Sequence, residues 1–367
     1  MRSIGLPSWI ERVLGRQPRP VPPHVFAVRR RELRFAAFSR QPGDNSGLEL
    51  AEFHSVPLAE GIFGSGPLGV PAGESEALAA SVRLLVARSS KPVREASVVL
   101  PDAWARSMVL ELGDLPEEPA ARLEVLRFRV KRMVPYRVED LRIEAVPIGL
   151  AGGGGGTGAN GVLGAIGAIG VTGATGDAGA GSAGGGSSAA AGETAQCLVT
   201  LANSAVCALI EDGFSSCGIR VGQLSGATLS TLQALNRGEL ERGLFGLALV
   251  DADGFNLALV RAGVPVVWRQ KSFAEGLADA DRARLLTAEL RLTRTFLSER
   301  FPGEALTALH LAAPRAVEPF WLDVLAQGFE VQPTRLRVEH LALAAEGFGD
   351  ALSELAPLAG AASREVA

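Results

Sequence analysis

Four histidines, three cysteines and one basic block are the places where this 367-residue chain could do chemistry. His24, His54, His310 and His340 are scattered and make no HxxxH or HExxH spacing, so they compose no metal-hydrolase helix. His310 sits in an apolar run and reads as a satisfied core histidine. Cys197, Cys207 and Cys217 fall ten apart on what read as a strand, a helix and a helix end, which is not a metal-ligand spacing. An odd count with no CxxC gives no disulfide frame either, so they read as buried thiols. No GxxxxGK[ST] loop and no GxSxG elbow occurs. Between 122 and 142, Arg122, Arg127, Arg129, Lys131, Arg132, Arg137 and Arg142 face only Glu124, Glu139 and Asp140, a local net charge of +4. In a chain of net charge −4 that block could face anionic lipid headgroups or an acidic peptide. A solvated helix face accounts for it equally well.

The elements that would position these groups follow from composition and periodicity. A length of 367 residues with 47% hydrophobic content is enough for one large bilobed domain or two ordinary ones. Near-neutral charge gives no general attraction to nucleic acid. The start lacks the apolar core of a signal peptide, and no stretch offers ~20 lipophilic residues, so a soluble cytoplasmic protein is expected. Leu6, Trp9, Ile10, Val13 and Leu14 lie on one helical face, with Ser8 and Glu11 as a capping box; this short helix suits a membrane surface, a partner or its own domain. The Pro-rich stretch 16–23 sets residues 1–24 apart.

From 25 the pattern turns to strands: VFAV and LRFAAF as a hairpin, then LELAEFHSVPL, then a helix at about 75–88. Residues 96–150 read as strand, strand, helix and strand, a small inserted α+β subdomain whose helix carries Leu123, Leu126, Val130, Met133 and Val134 on one face. The first lobe then comprises 25–95 and 195–238. Residues 151–194 are glycine-rich, with glycine at every third position from Gly161 to Gly179 but no proline. Without proline a collagen-like helix so short would not offset its ordering entropy, so the stretch reads as a flexible loop enlargement. The second lobe, 239–367, repeats the plan with LFGLALVDADG, FNLALVRAG and VPVVWRQKSF, a long helix at about 279–300, the buried strand ALTALHLAAP, a helix at about 316–327 and a mildly helical close.

This duplicated plan resembles the actin-like ATPase superfamily, and within it the PilM family of type IV pilus assembly proteins. The carrying stretches are 96–150, with its LP after the first strand and VPY after the helix, then 249–273 and 285–314. The resemblance implies an α/β, bilobed actin-like fold in which 96–150 is the extra subdomain that marks PilM and FtsA. It also implies three nucleotide loops, and all three are eroded here. Glycine is needed where backbone approaches phosphate, because a Cβ intrudes. The first hairpin instead reads Ala27-Val28-Arg29-Arg30-Arg31-Glu32, with neither the opening Asp nor glycine. The second reads Asp251-Ala252-Asp253-Gly254-Phe255-Asn256: the Asp survives, the glycine is displaced, the Ser/Thr is gone. The third reads Leu311-Ala312-Ala313-Pro314. Losing two or three charge-assisted hydrogen bonds removes roughly 3–9 kcal/mol of nucleotide affinity. Arg29–Arg31 could grip a phosphate by charge, but they read as a solvated turn, and Asp251 and Asp253 as turn residues.

The expectation is therefore a pseudo-ATPase that needs no cofactor, neither ATP nor Mg. By resemblance it is a cytoplasmic scaffold peripheral to the inner membrane, holding the cytoplasmic tail of a bitopic PilN-like protein and coupling it to pilus motor ATPases, possible as a homodimer and without nucleic acid. The tail would lie near the strand 97–100 and the helix 122–134, with Arg127, Arg129, Lys131 and Arg132 and the N-terminal helix marking a membrane-proximal side. A working actin-like ATPase and a GspL-like type II secretion component are the alternatives. The second carries a transmembrane helix after its actin-like part, which this sequence does not show. Replacing 152–192 by a short turn is expected to leave the melting temperature nearly unchanged; a large drop in a thermal scan would show that the segment packs.

Overall fold

The computed structural model describes residues 22–39, 48–64, 71, 73–112, 116, 118–134, 137–148, 195–251, 254–273, 276–343 and 352–363. The expected N-terminal helix with Trp9, Ile10, Val13 and Leu14, the glycine-rich insertion and Asp253 lie outside them.

In chain order the first half forms β1 (His24–Val28), β2 (Glu32–Ser39), β3 (Glu49–Pro57), α1 (Ser75–Val86), β4 (Glu95–Leu100), β5 (Ala105–Leu112), α2 (Pro119–Val130), β6 (Leu141–Ile148), β7 (Ala195–Asn203), α3 (Ser204–Ser215), β8 (Arg220–Gly226) and α4 (Ala227–Ala234). The second half forms α5 (Arg237–Leu240), β9 (Leu244–Val250), β10 (Gly254–Arg261), β11 (Val264–Ser272), α6 (Asp279–Arg300), β12 (Leu306–Ala312), α7 (Glu318–Phe329), β13 (Thr334–Arg335) and α8 (Leu352–Ala362).

Two five-stranded sheets have the same plan, β3-β2-β1-β4-β8 and β11-β10-β9-β12-β13. Each begins with two antiparallel hairpins and continues in parallel from its first strand. The central strands explain themselves. HVFAV and LFGLALV are buried throughout, as strands covered on both faces must be. Helices end where the chemistry changes: the Asn203 side chain accepts from the backbone N–H groups of Ala205 and Val206 to start α3, and Gly218, at φ +72, takes the left-handed position beyond its end.

A third sheet, β5-β7-β6, makes the small subdomain. Leu126 and Val130 of α2 cover one of its faces, over Met108, Leu110, Leu112, Val199 and Leu201. This corrects the boundaries read from sequence. The strand at the head of 96–150 is β4, which lies in register beside β1 (Val25 opposite Ser97) and so belongs to the first lobe. Conversely β7, assigned to the first lobe, is the central strand of the small sheet, flanked antiparallel by β5 and β6. Strand order along the chain does not reveal partners separated by a long insertion. The apolar face expected of α2 is also shorter than supposed: the helix ends at Val130, and Met133 beyond it is exposed.

The chain's last helix brings a second correction. It was read as part of the second lobe, but α8 packs against α4, β1, β2 and β4 of the first. Both α4 and α8 are buried nearly all round and built of small and apolar residues, so neither needs a solvent face. They approach so closely that a Cβ on Gly360 would lie 1.6 Å from the Ser230 carbonyl oxygen. Gly360→Ala is therefore expected to cost more than about 3 kcal/mol, because backbone must move rather than a flexible side chain. A urea unfolding curve checks this; an unchanged midpoint would show that the helices part freely.

Candidate functional site

The seam between the two lobes is where the strand-turns converge. The β1–β2 turn closes on itself, with Arg29 N–H donating to the Glu32 carbonyl at 2.9 Å. Arg29 is half-buried and interacts electrostatically with Asp251 of the other lobe, with Glu32 and with Glu354 of α8. Burial presses its pKa below the ordinary value, the neighbouring Arg34 adds to that, and the three carboxylates oppose it. Arg34 is buried and pairs with Glu32 at 2.8 Å and Glu354 at 3.1 Å, tying the first hairpin to the last helix.

Across the seam, Asp251 at the end of β9 and Gly254 at the start of β10 bond to each other. The Asp251 carboxylate accepts the Gly254 N–H at 2.9 Å, and Asp251 N–H donates to the Gly254 carbonyl at 3.0 Å. Asp251 thus does the work of a turn residue, whatever else it faces. Gly254 is required for a different reason from phosphate approach: a Cβ there would stand 2.6 Å from the Lys271 carbonyl oxygen of β11. Ala312 ends β12, buried and in register with Leu249. Beyond it, Leu311, Ala313, Arg315, Glu318, Arg335 and Arg337 help to line a cavity of about 340 Å³. Its arginines are not free: Arg335 Nε donates to Glu318 at 2.6 Å, and Arg337 lies 3.6 Å from Glu339.

Sequence reasoning missed a strongly perturbed group in the seam. Asp102, directly after the LP that ends β4, is 2% exposed. Its carboxylate accepts the Thr228 N–H at 3.0 and 3.1 Å and the Thr228 hydroxyl at 2.6 Å, so it caps α4 from another element. Gly226 makes room, since a Cβ there would sit 2.8 Å from Asp102 Oδ1. The Gln270 side-chain amide of β11 donates to the Asp102 carbonyl at 2.6 Å, which joins the second lobe to the same loop. Burial pushes the Asp102 pKa up to about 7 against the Thr228 hydrogen bonds that lower it, and Asp251 adds to the rise. The only sequence signal was an acid placed after a buried strand, followed far downstream by a Gly-Ala-Thr helix start.

Of the remaining groups, Arg129, Lys131 and Arg132 are exposed on the small subdomain and Arg127 is half-buried there, far in the chain from the seam residues. Cys197 and Cys207 are buried and Cys217 is half-buried; burial raises all three thiols, Cys207 to about 11. His310 is more interesting than a lone core histidine. With Glu239 and His340 it forms a cluster whose ligand atoms lie within 4.8 Å of one another. Its Nε2 is 3.0 Å from Glu239 and its Nδ1 3.1 Å from the Thr334 hydroxyl. His340 Nδ1 accepts the Arg337 N–H at 3.0 Å, so neutral His340 carries its proton on Nε2. Burial and then His310 lower the His340 pKa, which favours that neutral form. The Glu239–His310 hydrogen bond joins α5 to β12, and the His340 ring of the turn Val338–His340 packs on His310 with ring centroids 4.2 Å apart.

A carboxyl whose folded pKa exceeds its unfolded one stabilises the fold most below the unfolded pKa and loses that advantage as pH rises through the folded value. For Asp102 the window runs from 3.8 to about 7, worth roughly 4 kcal/mol. Wild-type stability measured by urea unfolding is expected to fall relative to Asp102→Asn as pH rises from 4 to 8. Parallel pH profiles for the two would show that Asp102 is not held protonated.

No protein-family model matches the sequence, and no curated protein matches it. Solved structures do. A chain of the PilM-PilN type IV pilus biogenesis complex matches over 95% of this chain and 98% of its own, with a TM-score of 0.61 at 17% identity. The cytoplasmic domain of EpsL, an inner membrane component of the type II secretion system of Vibrio cholerae, matches at a TM-score of 0.41 and 11% identity over 79% of this chain and 82% of its own. A Bacteroides thetaiotaomicron protein of actin-like ATPase fold matches at 0.46 and 10%, over 91% and 94%. With its twice-repeated strand order, this chain has the bilobed actin-like fold, shared over nearly its whole length with a chain of the PilM-PilN complex.

Proposed function

We propose that this protein is a non-catalytic scaffold of a type IV pilus or related secretion platform, which holds the cytoplasmic tail of a bitopic PilN-like membrane protein. The observation that carries the non-catalytic part is the state of the lobe seam. The first turn presents arginine and spends its Arg29 N–H on Glu32, and Asp251 spends its carboxylate on Gly254. The first turn has no glycine, and the Asp251 carboxylate is already hydrogen-bonded, whereas Mg-nucleotide binding on this fold requires glycine-lined backbone and a free acid. No helix among the described residues is long and apolar enough to cross a membrane.

β4 is paired on both sides, with β1 and β8, so a tail lying near 97–100 would not join it as a further strand. The resemblance to the PilM family puts the tail in a groove between the first lobe and the small subdomain, which meet where Arg142 of β6 forks onto Glu211 of α3, with Nη2 and Oε2 2.8 Å apart.

Calorimetric titration with Mg-ATP and Mg-ADP to millimolar concentration is expected to give no binding heat, while a synthetic PilN-like tail peptide binds. Micromolar nucleotide affinity would overturn the non-catalytic reading and call for hydrolysis assays. Failure of the peptide would overturn the scaffold reading.

A further inference from the structure

The chain passes between the two five-stranded sheets at two places, and the two passages run side by side. One follows α4 and leads through α5 to β9; the other follows β13 through the turn Val338–His340 and residues 341–343, ahead of α8. Leu235 of the first bridges Leu341 of the second. Asn236 N–H donates to the His340 carbonyl at 2.9 Å, and Ala342 N–H to the Ala234 carbonyl at 2.8 Å. The Asn236 side-chain amide donates to the Glu339 carbonyl at 2.7 Å. A rotation of one lobe against the other has to bend or part these two passages, which makes them the hinge.

The second passage is held in its turn by a side chain that can gain a proton. His340 Nδ1 accepts the Arg337 N–H at 3.0 Å, across the turn. That bond exists only while Nδ1 keeps its lone pair. A protonated ring carries N–H at both nitrogens and would meet the Arg337 N–H donor to donor. His340 is half-buried beside the exposed Glu339, so solvent protons reach it.

Charged and titratable groups face the ring from three sides. From β12 the His310 ring packs on it, with centroids 4.2 Å apart. From α5 comes the Glu239 carboxylate, already shared between His310 Nε2 at 3.0 Å and Arg242 at 3.1 Å. On its own turn, Glu339 lies 4.0 Å from His340 Nε2 and 3.6 Å from Arg337. Burial first, then His310, and last Arg242 lower the His340 pKa below its ordinary value, while Glu239 and Glu339 oppose them. The folded turn therefore selects the neutral ring that accepts the bond. Such a group stabilises the fold above its unfolded pKa, about 6.5 for histidine, and that stability is lost as pH falls through the folded value.

We propose that His340 is a proton-sensitive catch on the hinge between the lobes. With a neutral ring it closes the turn and keeps the two passages joined. On acidification it releases the Arg337 N–H, loosens the contacts with Asn236 and frees the lobes to rotate. The catch is independent of what the lobes or the small subdomain bind.

The test is hydrogen exchange of the full chain read by mass spectrometry, with each rate divided by the intrinsic rate at the same pH. Protection of peptides covering 234–241 and 336–343 is expected to fall at least about tenfold from pH 8 to pH 5.5, while β1 and β4 keep theirs. In His340→Asn the side-chain oxygen takes the place of Nδ1 and accepts the same N–H without titrating, so protection should hold at both pH values. His340→Ala, which removes the acceptor, should be loosened at pH 8 already. Asp102 titrates with the opposite sign, stabilising at low pH, and so does not imitate the loss. Unchanged wild-type protection between the two pH values would overturn the proposal, as would an equal loss in His340→Asn. Nitrogen NMR of the wild-type histidines needs no variant to fold: a His340 found with its proton on Nδ1 at pH 8 would overturn it too.

Discussion

The crossing of α4 and α8 is the constraint on which this molecule turns. Two helices with almost no solvent face can be stable only if each is covered all round, and they achieve it by covering one another and the first-lobe sheet. The contact is close enough that Gly360 has no space for a Cβ before the Ser230 carbonyl. Because α8 is the end of the second-lobe stretch and α4 follows the last strand of the first, this one contact fixes how the chain of one lobe returns to the other. The hydrogen bonds around it reinforce the return: Ala342 N–H donates to the Ala234 carbonyl, and Asn236 N–H to the His340 carbonyl.

The electrostatics of the seam follow from that arrangement. Asp102 caps α4, so its carboxyl is buried wherever α4 is buried, and burial sets its pKa. Glu354 enters with α8 and pairs with Arg34, which in turn presses on Arg29. The charged groups at the seam are therefore largely committed to holding the lobes' elements together. Within the seam, Arg29 N–H is bonded to the Glu32 carbonyl, and Asp251 and Gly254 are bonded to each other. The small subdomain is tied to the second lobe separately, where Arg300 of α6 pairs with Glu111 of β5 and β11 packs beside β5.

Much of the fold was legible because burial leaves a direct mark on sequence. Continuous apolar runs such as LFGLALV gave the central strands, and the period of Leu78, Val82 and Leu85 gave α1. The repeat of hairpin, hairpin and crossover was visible as order along the chain. What failed was adjacency. β4 looked like the start of the small subdomain and β7 like its successor in the first lobe, since period-2 patterns say that a strand has a covered face but not which strand lies beside it. The closing helix looked unremarkable because a stretch of Ala, Leu and Gly carries no stripe when every side is buried.

For the candidate site the division is similar. The sequence by itself determined that glycine is missing from the first turn, that Asp251 remains, and that basic residues gather near 122–142, because these are statements about residue type at known positions. Only the tertiary structure decided that Asp102 lies beneath α4 and that His310 meets Glu239 and His340. Each of those depends on elements far apart in the chain being brought together. Charge and hydrophobicity at one position fix what a side chain can do; its partners, its desolvation and hence its chemistry are set by what the fold packs against it.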